Sequence, residues 1–433
     1  MLLRFSVDNY RSFGREMILD LSASNGIKDN PGKGFFQISP SERVLNSVAI
    51  YGANSSGKSN FLMAVGTMRK MVLQSVRLNE GDTLPYDPFL LSTTEQRPTR
   101  FEVKYFEPKS RSTFTYGFEY NEESIIREWL IAKMPRRSEK RLLYRESGQS
   151  LQLDAENYDE GVRASNTLTL NKNRLFLSLA GQAGGAISNR VINWFKSSLR
   201  TLSGIEDTYS QYTRRRVFDD EKSKFLVQDF IAKMDLGFNT IIPHKVDIES
   251  LGFPQGLPQE LITQLKKDPI IRISSIHNVY DEHGGVARTL PFDMDEHESA
   301  GSRKIFNLSG PILDALSSGM TLFVDELDSK MHPLISRRLV EMFNSPEENP
   351  YSAQLIFTTH DTNLLSRDVF RRDQIWFTEK DKTEQTTIYP MMKAQEYNSQ
   401  LNHAPRSDSN YQKNYIQGLY GAIPYLTCGR LDD

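Results

Sequence analysis

Apolar and polar residues alternate from the start of the chain. Leu3, Phe5 and Val7 fall on one face, and Arg4, Ser6 and Asp8 on the other, which predicts a half-buried strand. A second strand is expected at Met17–Leu21, and the Gly-, Pro-, Asn- and Ser-rich stretch Asn25–Glu42 reads as irregular. The apolar run Val44–Tyr51 ends in a glycine-rich loop. From Lys58 to about Ser75 the spacing turns helical, with Phe61, Leu62, Val65, Met68 and Val72 on one face. Period two returns from Phe101 to Leu151, most clearly at Phe101–Tyr105 and Phe114–Tyr120, and predicts an antiparallel sheet.

The middle of the chain changes character. Val191–Leu199 and Phe225–Met234 read as amphipathic helices, and Arg214, Arg215 and Arg216 stand in a row. No heptad is sustained, so a long coiled coil is not expected. From Ile270 strands and helices alternate. Ile270–Val279, Thr321–Val324, Leu355–Thr358 and Gln374–Phe377 read as strands, and Gly301–Leu316 and Pro333–Phe343 as helices. Such alternation implies a mostly parallel sheet with helices on its faces. The divisions expected are 1–150, a mainly helical insertion over 151–268, a further α/β part over 269–393 and a less patterned tail over 394–433.

Composition narrows this picture only a little. With 38% hydrophobic and 25% charged residues in 433, the chain is an ordinary globular protein of two or three domains. A net charge of −2 gives no global pull toward nucleic acid or anionic membrane. A single cysteine, Cys428, fits a reducing cytosol. Neither a signal peptide nor a membrane span is expected, so the expected location is cytoplasmic.

The chemistry begins at Gly52-Ala53-Asn54-Ser55-Ser56-Gly57-Lys58-Ser59, which matches G-x-x-x-x-G-K-S between an apolar strand and a helix. Its glycines let the backbone curl so that N–H groups and the helix N-terminus face a phosphate. Lys58 reaches the β- and γ-phosphates, and the Ser59 hydroxyl ligates Mg²⁺. ATP and Mg²⁺ are therefore the expected substrate and cofactor. Gly52, Asn54, Ser55, Ser56, Gly57, Lys58, Ser59 and Asn60 form the expected cradle.

Far along the chain, Thr321–Val324 ends in Asp325-Glu326. An Asp at a strand end holds Mg²⁺, and the next carboxylate polarises the attacking water. Asp325 joins Ser59 as a metal residue, and Glu326 is the expected catalytic base. Thirty-five residues on, His360 closes another buried strand, placed to sense the γ-phosphate.

Asp325-Glu326, Leu327-Asp328-Ser329, His332-Pro333 and Thr358-Thr359-His360 together resemble the ABC-type ATPase head, more narrowly its SMC/RecF-like and OLD-like branch. The opening Phe5–Phe13 resembles that branch too. The resemblance implies an α/β head with a mixed sheet, an antiparallel β subdomain and a helical insertion. It also implies that Arg11, Ser12 and Asp328 contact the nucleotide, and that a signature loop on one subunit completes the site of another. Ser299-Ala300-Gly301-Ser302, 26 residues before Asp325, fits that loop. Leu308-Ser309-Gly310-Pro311 looks similar, but its Ser309 lies only 16 residues before Asp325. Ser299, Gly301 and Ser302 are thus the expected trans contacts. Gln96 is one of several polar candidates for the Q-loop residue.

In the whole chain 267 positions separate Lys58 from Asp325, and the tail carries Tyr415–Pro424, with Gly418, Tyr420, Gly421, Ala422 and Pro424. This layout resembles the ATPases of bacterial anti-phage and abortive-infection systems: the RloA/AbiL-like group and the ATPase subunits of PARIS-type, Septu and retron-linked systems. That resemblance implies a homo-oligomer, joined through sandwiched ATP, that regulates or holds a toxic effector, a nuclease encoded nearby. The alternative is a RecF/SMC-like ATPase that binds DNA in repair. For it, Arg214–Arg216 and the run Pro135–Arg141 are the candidate nucleic-acid contacts. A scaffold that uses ATP only as glue has no need for Glu326. The acids at Asp293, Asp295, Glu296 and Glu298, with His297, read as a polar loop rather than a metal site.

Overall fold

Alternation along the first 150 residues builds the largest sheet, of seven strands. A computed structural model describes residues 1–27, 29, 33–93, 97–203, 209–238, 240–246, 270–398, 405–406 and 408–424. Two units are formed: Met1–Leu202, Ser318–Leu327 and Arg337–Asp433 make the first, and Ser203–Ser317 with Asp328–Ser336 the second. Gln96 lies outside the described residues, as does Cys428.

In the first unit β1 (Leu2–Asp8) and β2 (Met17–Asp20) precede a short hairpin, β3 (Phe35–Ser39) and β4 (Glu42–Leu45), whose first strand lies in the stretch expected to be irregular. Next come β5 (Ser47–Gly52) and α1 (Lys58–Gln74). The strands β6 (Thr99–Glu107), β7 (Ser112–Tyr120), β8 (Ile125–Lys133), β9 (Lys140–Glu146) and β10 (Gln152–Leu153) follow. They join β1 and β2 in an antiparallel sheet of order β10-β9-β8-β7-β6-β1-β2. The helix face foreseen in α1 is the buried one: Phe61 meets Phe5 edge-on at 5.5 Å, and α1 touches β1, β5 and β15 (Thr321–Asp325).

The helical insertion expected over 151–268 divides between the units. Helices α2 (Asp159–Thr167), α3 (Phe176–Gln182) and α4 (Ala186–Asn193) belong to the first unit, against the antiparallel sheet. The reason is a buried polar anchor. Glu128 of β8 is fully buried and accepts hydrogen bonds from Phe176 N at 2.7 Å, Leu177 N at 2.9 Å and Tyr116 Oη at 2.9 Å. Its carboxylate thus caps the start of α3, although burial pushes the carboxyl up from its usual range. The helix expected over Val191–Leu199 instead ends at Asn193 and widens into a π turn, Trp194–Ser198. Adjacent residues of an α-helix do not share a face. The wider turn buries both Trp194, stacked on Tyr105 at 4.2 Å, and Phe195. Strand β11 (Leu199–Ser203) follows.

The second unit holds α5 (Ser210–Asp219), α6 (Glu221–Lys233), the sheet β12 (Thr240–Lys245), β13 (Ile271–Tyr280) and β14 (Val286–Asp293), and helices α7 (Met294–His297) and α8 (Ala300–Ser318). Val217, Ile231, Ile241, Ile273 and Phe306 form its core. Pro311 inside α8 has no N–H for the carbonyl of Asn307. The hydroxyl of Thr213 donates to that carbonyl instead, at 2.5 Å. The arginine run lies on α5 and serves this packing. Arg214 is buried and grips Asp295 through two hydrogen bonds of 2.6 and 2.7 Å, and Arg216 pairs with Asp314. Arg214 and Arg216 of the run are thus taken up by acids of α7 and α8.

Back in the first unit, β15, β16 (Gln354–Thr358), β17 (Ile375–Lys380) and β18 (Thr386–Pro390) complete the second sheet, ordered β11-β15-β16-β5-β17-β18. Strands β15, β16, β5 and β17 are parallel, and β18 is antiparallel to β17. This is the expected fold class, α/β with a mixed sheet beside an antiparallel one. Helix α9 (Pro333–Asn344) connects β15 to β16. Buried Gln354 fastens the sheets together: it accepts from Leu2 N at 2.6 Å and donates to the Leu2 and Leu45 carbonyls at 2.9 and 3.1 Å. After α10 (Ala394–Tyr397) and α11 (Tyr411–Ile416), Tyr415 and Tyr420 stack on Phe377 at 5.4 and 5.7 Å, so the tail motif packs on the core. Among the described residues no helix is long and apolar enough to cross a membrane.

Candidate functional site

The sheet brings the chemistry to one edge. In parallel α/β sheets ligands bind outside the carboxyl ends of the strands. Here β5 ends in the phosphate loop and β15 in Asp325, with β16 ending at Thr358 between them. Ile50, Thr358 and Asp325 stand nearly in register, since Thr358 pairs with Ile50 and Phe357 with Val324. At about 4.8 Å per strand the two halves of the site lie about 10 Å apart.

The loop is tightly built. Gly57 has φ 104° and begins α1, and Ser55 has φ 63°. A Cβ at Gly57 would sit 2.3 Å from Thr386 Oγ1, and one at Gly52 2.3 Å from Thr378 Oγ1. Glycine at both positions is therefore a steric requirement. Lys58 is 5% exposed and donates to the carbonyls of Gly52 at 2.9 Å and Ala53 at 3.0 Å. The ammonium thus lies inside the curl. Ser56 is buried against Thr378 Oγ1 at 2.7 Å, while Asn54 and Ser55 are exposed. Ser59 and Asn60 are half-buried, and Asn60 Nδ2 donates to Ser12 Oγ at 2.8 Å.

At the acidic pair one hydroxyl does two jobs. Thr358 Oγ1 donates to Asp325 Oδ1 at 2.6 Å and accepts the Glu326 N–H at 2.7 Å. Glu326 has φ 48°, a left-handed conformation that costs a residue with a Cβ. It turns the second carboxylate off the strand line, and both carboxylates stay half-exposed. His360, two residues past Thr358, is exposed.

Arg11 and Ser12 lie beside the loop. Arg11 has φ 49°, pairs with Asp87 at 3.2 Å and contacts Met63. Ser12 Oγ is 2.8 Å from Thr386 Oγ1, and Thr386 Oγ1 is 2.9 Å from the Ser56 carbonyl. Arg11, Ser12 and Asn60 line a cleft of about 730 Å³ together with Asp87, Leu90, Leu91 and Lys380, a size suited to a nucleoside. A groove of about 700 Å³ between β2 and β18 has mixed charge and no part of the phosphate loop. Thr378 and Thr386 escaped the sequence reading, and Thr358 entered it only as part of Thr358-Thr359-His360. Their only local signal is a threonine in or next to a strand end.

In the second unit Ser299 caps α8: its Oγ accepts the Ser302 N–H at 3.0 Å. Ser299 is exposed, and Gly301 and Ser302 are half-buried. Asp328 belongs to the same unit. The look-alike Ser309 is fully buried in mid-helix and donates to the Phe306 carbonyl at 2.6 Å, which removes it from any nucleotide. The acids before Ser299 are engaged too. Asp293 caps α7, and Glu298 takes bonds from Ser275 at 2.5 Å and His277 at 2.7 Å. Among the described residues no group of three or more His, Cys, Asp or Glu is placed to hold a metal.

Residues 47–366 match the family described as an AAA domain, putative AbiEii toxin, type IV toxin–antitoxin system. The chain belongs to that family. The AAA-domain match starts with β5 and spans the phosphate loop, Ser299, the acidic pair and His360. No curated protein matches the chain. Among solved structures, the chain is similar to the SMC head domain from Thermotoga maritima (TM-score 0.40, 14% identity, 90% of this chain and 98% of that one). It is also similar to an SMC head bound to the C-winged helix domain of ScpA (0.42, 12%, 90% and 97%). A third is the recombination mediator protein RecF with ATP (0.31, 10%, 90% and 97%).

Proposed function

We propose that this chain is a Mg²⁺-dependent ABC-type ATPase, working in the cytoplasm as a homodimer or higher homo-oligomer. It closes ATP between the phosphate loop of one copy and Ser299–Ser302 of another. One observation carries the reading: the loop that leads to Lys58 and the Thr358-bound Asp325 lie at the carboxyl ends of the parallel strands β5 and β15 of one mixed sheet.

Gly52 and Asn54 to Asn60 hold the phosphates, with Lys58 exchanging its two backbone carbonyls for phosphate oxygens. Ser59 and Asp325 would hold Mg²⁺, which would supply positive charge to the phosphate oxygens. Glu326 takes the proton of the attacking water, and His360 orients toward the γ-phosphate. Arg11 and Ser12 flank the nucleoside in the cleft beside the loop. Ser299, Gly301, Ser302 and Asp328 act on the nucleotide of a second copy, with the capped start of α8 donating to the γ-phosphate. In the cell this cycle holds or releases a toxic effector, a nuclease encoded nearby, in anti-phage defence. The family's type IV toxin–antitoxin description supports that setting.

A second reading, a RecF/SMC-like ATPase that binds nucleic acid in repair, is favoured by one patch. The β6–β7 and β8–β9 turns lie side by side at one end of the antiparallel sheet. They and the adjoining strand ends expose Lys109, Arg111, Lys133, Arg136, Arg137, Lys140 and Arg141. Among the described residues none of the seven forms a salt bridge, so their charge is open to phosphates.

The ATP-sandwich reading is tested by mixing Lys58→Ala and Ser299→Arg subunits, each inactive alone. The mixed dimer has one intact composite site and regains turnover. A mixture as silent as its parts refutes the sandwich.

A further inference from the structure

Strands β17 and β18 meet the phosphate loop with two threonines, Thr378 and Thr386, both fully buried within the first unit. Thr386 Oγ1 lies 2.9 Å from the Ser56 carbonyl and 2.8 Å from Ser12 Oγ, and Asn60 Nδ2 donates to that same Ser12 oxygen at 2.8 Å. The chemistry of the groups fixes the direction of each bond. A carbonyl only accepts, so the single proton of the Thr386 hydroxyl goes to Ser56. The Ser12 hydroxyl then donates to Thr386. The result is a one-way chain from Asn60 through Ser12 and Thr386 to the Ser56 carbonyl. Its members are held from both sides: Thr378 Oγ1 bonds the Ser56 hydroxyl at 2.7 Å, and Thr386 N donates to the Ser12 carbonyl at 2.8 Å.

The carbonyl at the end of the chain belongs to the Ser56–Gly57 peptide. That peptide is trans, and in a planar trans peptide the C=O and N–H point in opposite directions. Drawing the carbonyl to β18 therefore turns the Gly57 N–H away from β18. Among the described residues this N–H has no acceptor. Glycine on one side leaves the peptide easy to flip, so its orientation needs an outside hold. We propose that Thr386 is a positioning residue that aims the Gly57 N–H at a phosphate of the bound nucleotide. It touches no reacting atom and acts only through the Ser56–Gly57 peptide. Its loss therefore weakens nucleotide binding and leaves the chemical step of a seated nucleotide unchanged. This rests on the phosphate-loop reading above.

The test compares the full-length wild type with Thr386→Val, Thr386→Ser and Lys58→Ala. Affinities for ATP and ADP are read by equilibrium binding, kcat and KM by steady-state hydrolysis, and folding by thermal melting. In Thr386→Val the dissociation constants of both nucleotides are expected to rise on the order of 10- to 100-fold, the worth of one hydrogen bond to a charged group. KM rises with them and kcat is kept, the pattern of a lost binding contact. Thr386→Ser, which keeps the hydroxyl, recovers most of the affinity. Thr386→Ala, which also lacks the hydroxyl, carries the test if Thr386→Val does not fold. Wild-type affinity in a folded variant without the hydroxyl overturns the proposal. So does a Thr386→Ser variant as weak as Thr386→Val, or a fall in kcat at unchanged affinity. Lys58→Ala tells the two failures apart. If it loses ATP while Thr386→Val binds as the wild type does, the positioning role alone is wrong. If it binds ATP like the wild type, the phosphate loop is not the nucleotide site and the role of Thr386 falls with it.

Discussion

Thr358→Val is the most informative single change at the site. Valine has nearly the shape of threonine but no hydroxyl. Thr358 is fully buried, so solvent does not replace what is lost. Two hydrogen bonds go: the 2.6 Å bond to Asp325 Oδ1 and the 2.7 Å bond from Glu326 N. The bond between Leu327 N and the Thr358 carbonyl, 3.1 Å, survives, so the strand end keeps its path. What changes is the aim of Asp325. Removing a partner that orients a metal-binding carboxylate costs about 10- to 100-fold in metal affinity or activity, or about 1.4–2.8 kcal/mol. The hypothesis is that half-saturation of ATPase activity by Mg²⁺ moves up by that factor in Thr358→Val. Thr358→Ser, which keeps the hydroxyl, should stay close to wild type. A Mg²⁺ titration of hydrolysis at saturating ATP reads this directly. Were Thr358→Val to keep both its Mg²⁺ midpoint and its maximal rate, Asp325 would not be a metal residue held by Thr358.

Two further expectations follow from the same residues and from the basic patch. Glu326→Gln keeps ATP binding, loses turnover by about 100-fold or more, and accumulates an ATP-bound dimer visible by light scattering. Turnover at the wild-type rate would exclude Glu326 as the base. If the nucleic-acid reading holds, duplex DNA binds the purified chain with a steep salt dependence. Replacing Arg136, Arg137, Lys140 and Arg141 by Ser should lower the slope of log affinity against log salt by about 3–4. No binding at low salt, or a slope untouched by the change, removes that reading.

The ends of β5 and β15 were legible in the sequence because each is a short apolar run closed by a clear break, a glycine-rich loop or a pair of acids. The contacts of Thr358, Thr378 and Thr386 were not readable because they are set by sheet register. Thr358 meets Asp325 across 33 positions, and Thr378 meets Ser56 across 322. No local pattern carries that information. Helices α2–α4 show another limit: reading 151–268 as mainly helical does not say which layer its helices cover. Here the layer was fixed by buried Glu128, a lone acid in a strand pattern. The run Arg214–Arg216 shows a third. Charge alone does not tell a solvent-facing cation from one bound to Asp295 or Asp314, because those acids are about 80 to 100 positions away. The start of α8 was readable, since a serine cap before a helix is a local signal.

The measurement that reaches the centre of the account is ATP turnover in mixtures of Lys58→Ala and Ser299→Arg chains. Neither variant alone builds a complete site, because one lacks the phosphate lysine and the other blocks the capping serine. Random pairing makes about half of the dimers mixed, each with one whole site, so an equimolar mixture should recover about a quarter of the wild-type rate if sites fire independently. A rate no higher than the sum of the separate variants would mean that the nucleotide is not held between two copies of this chain.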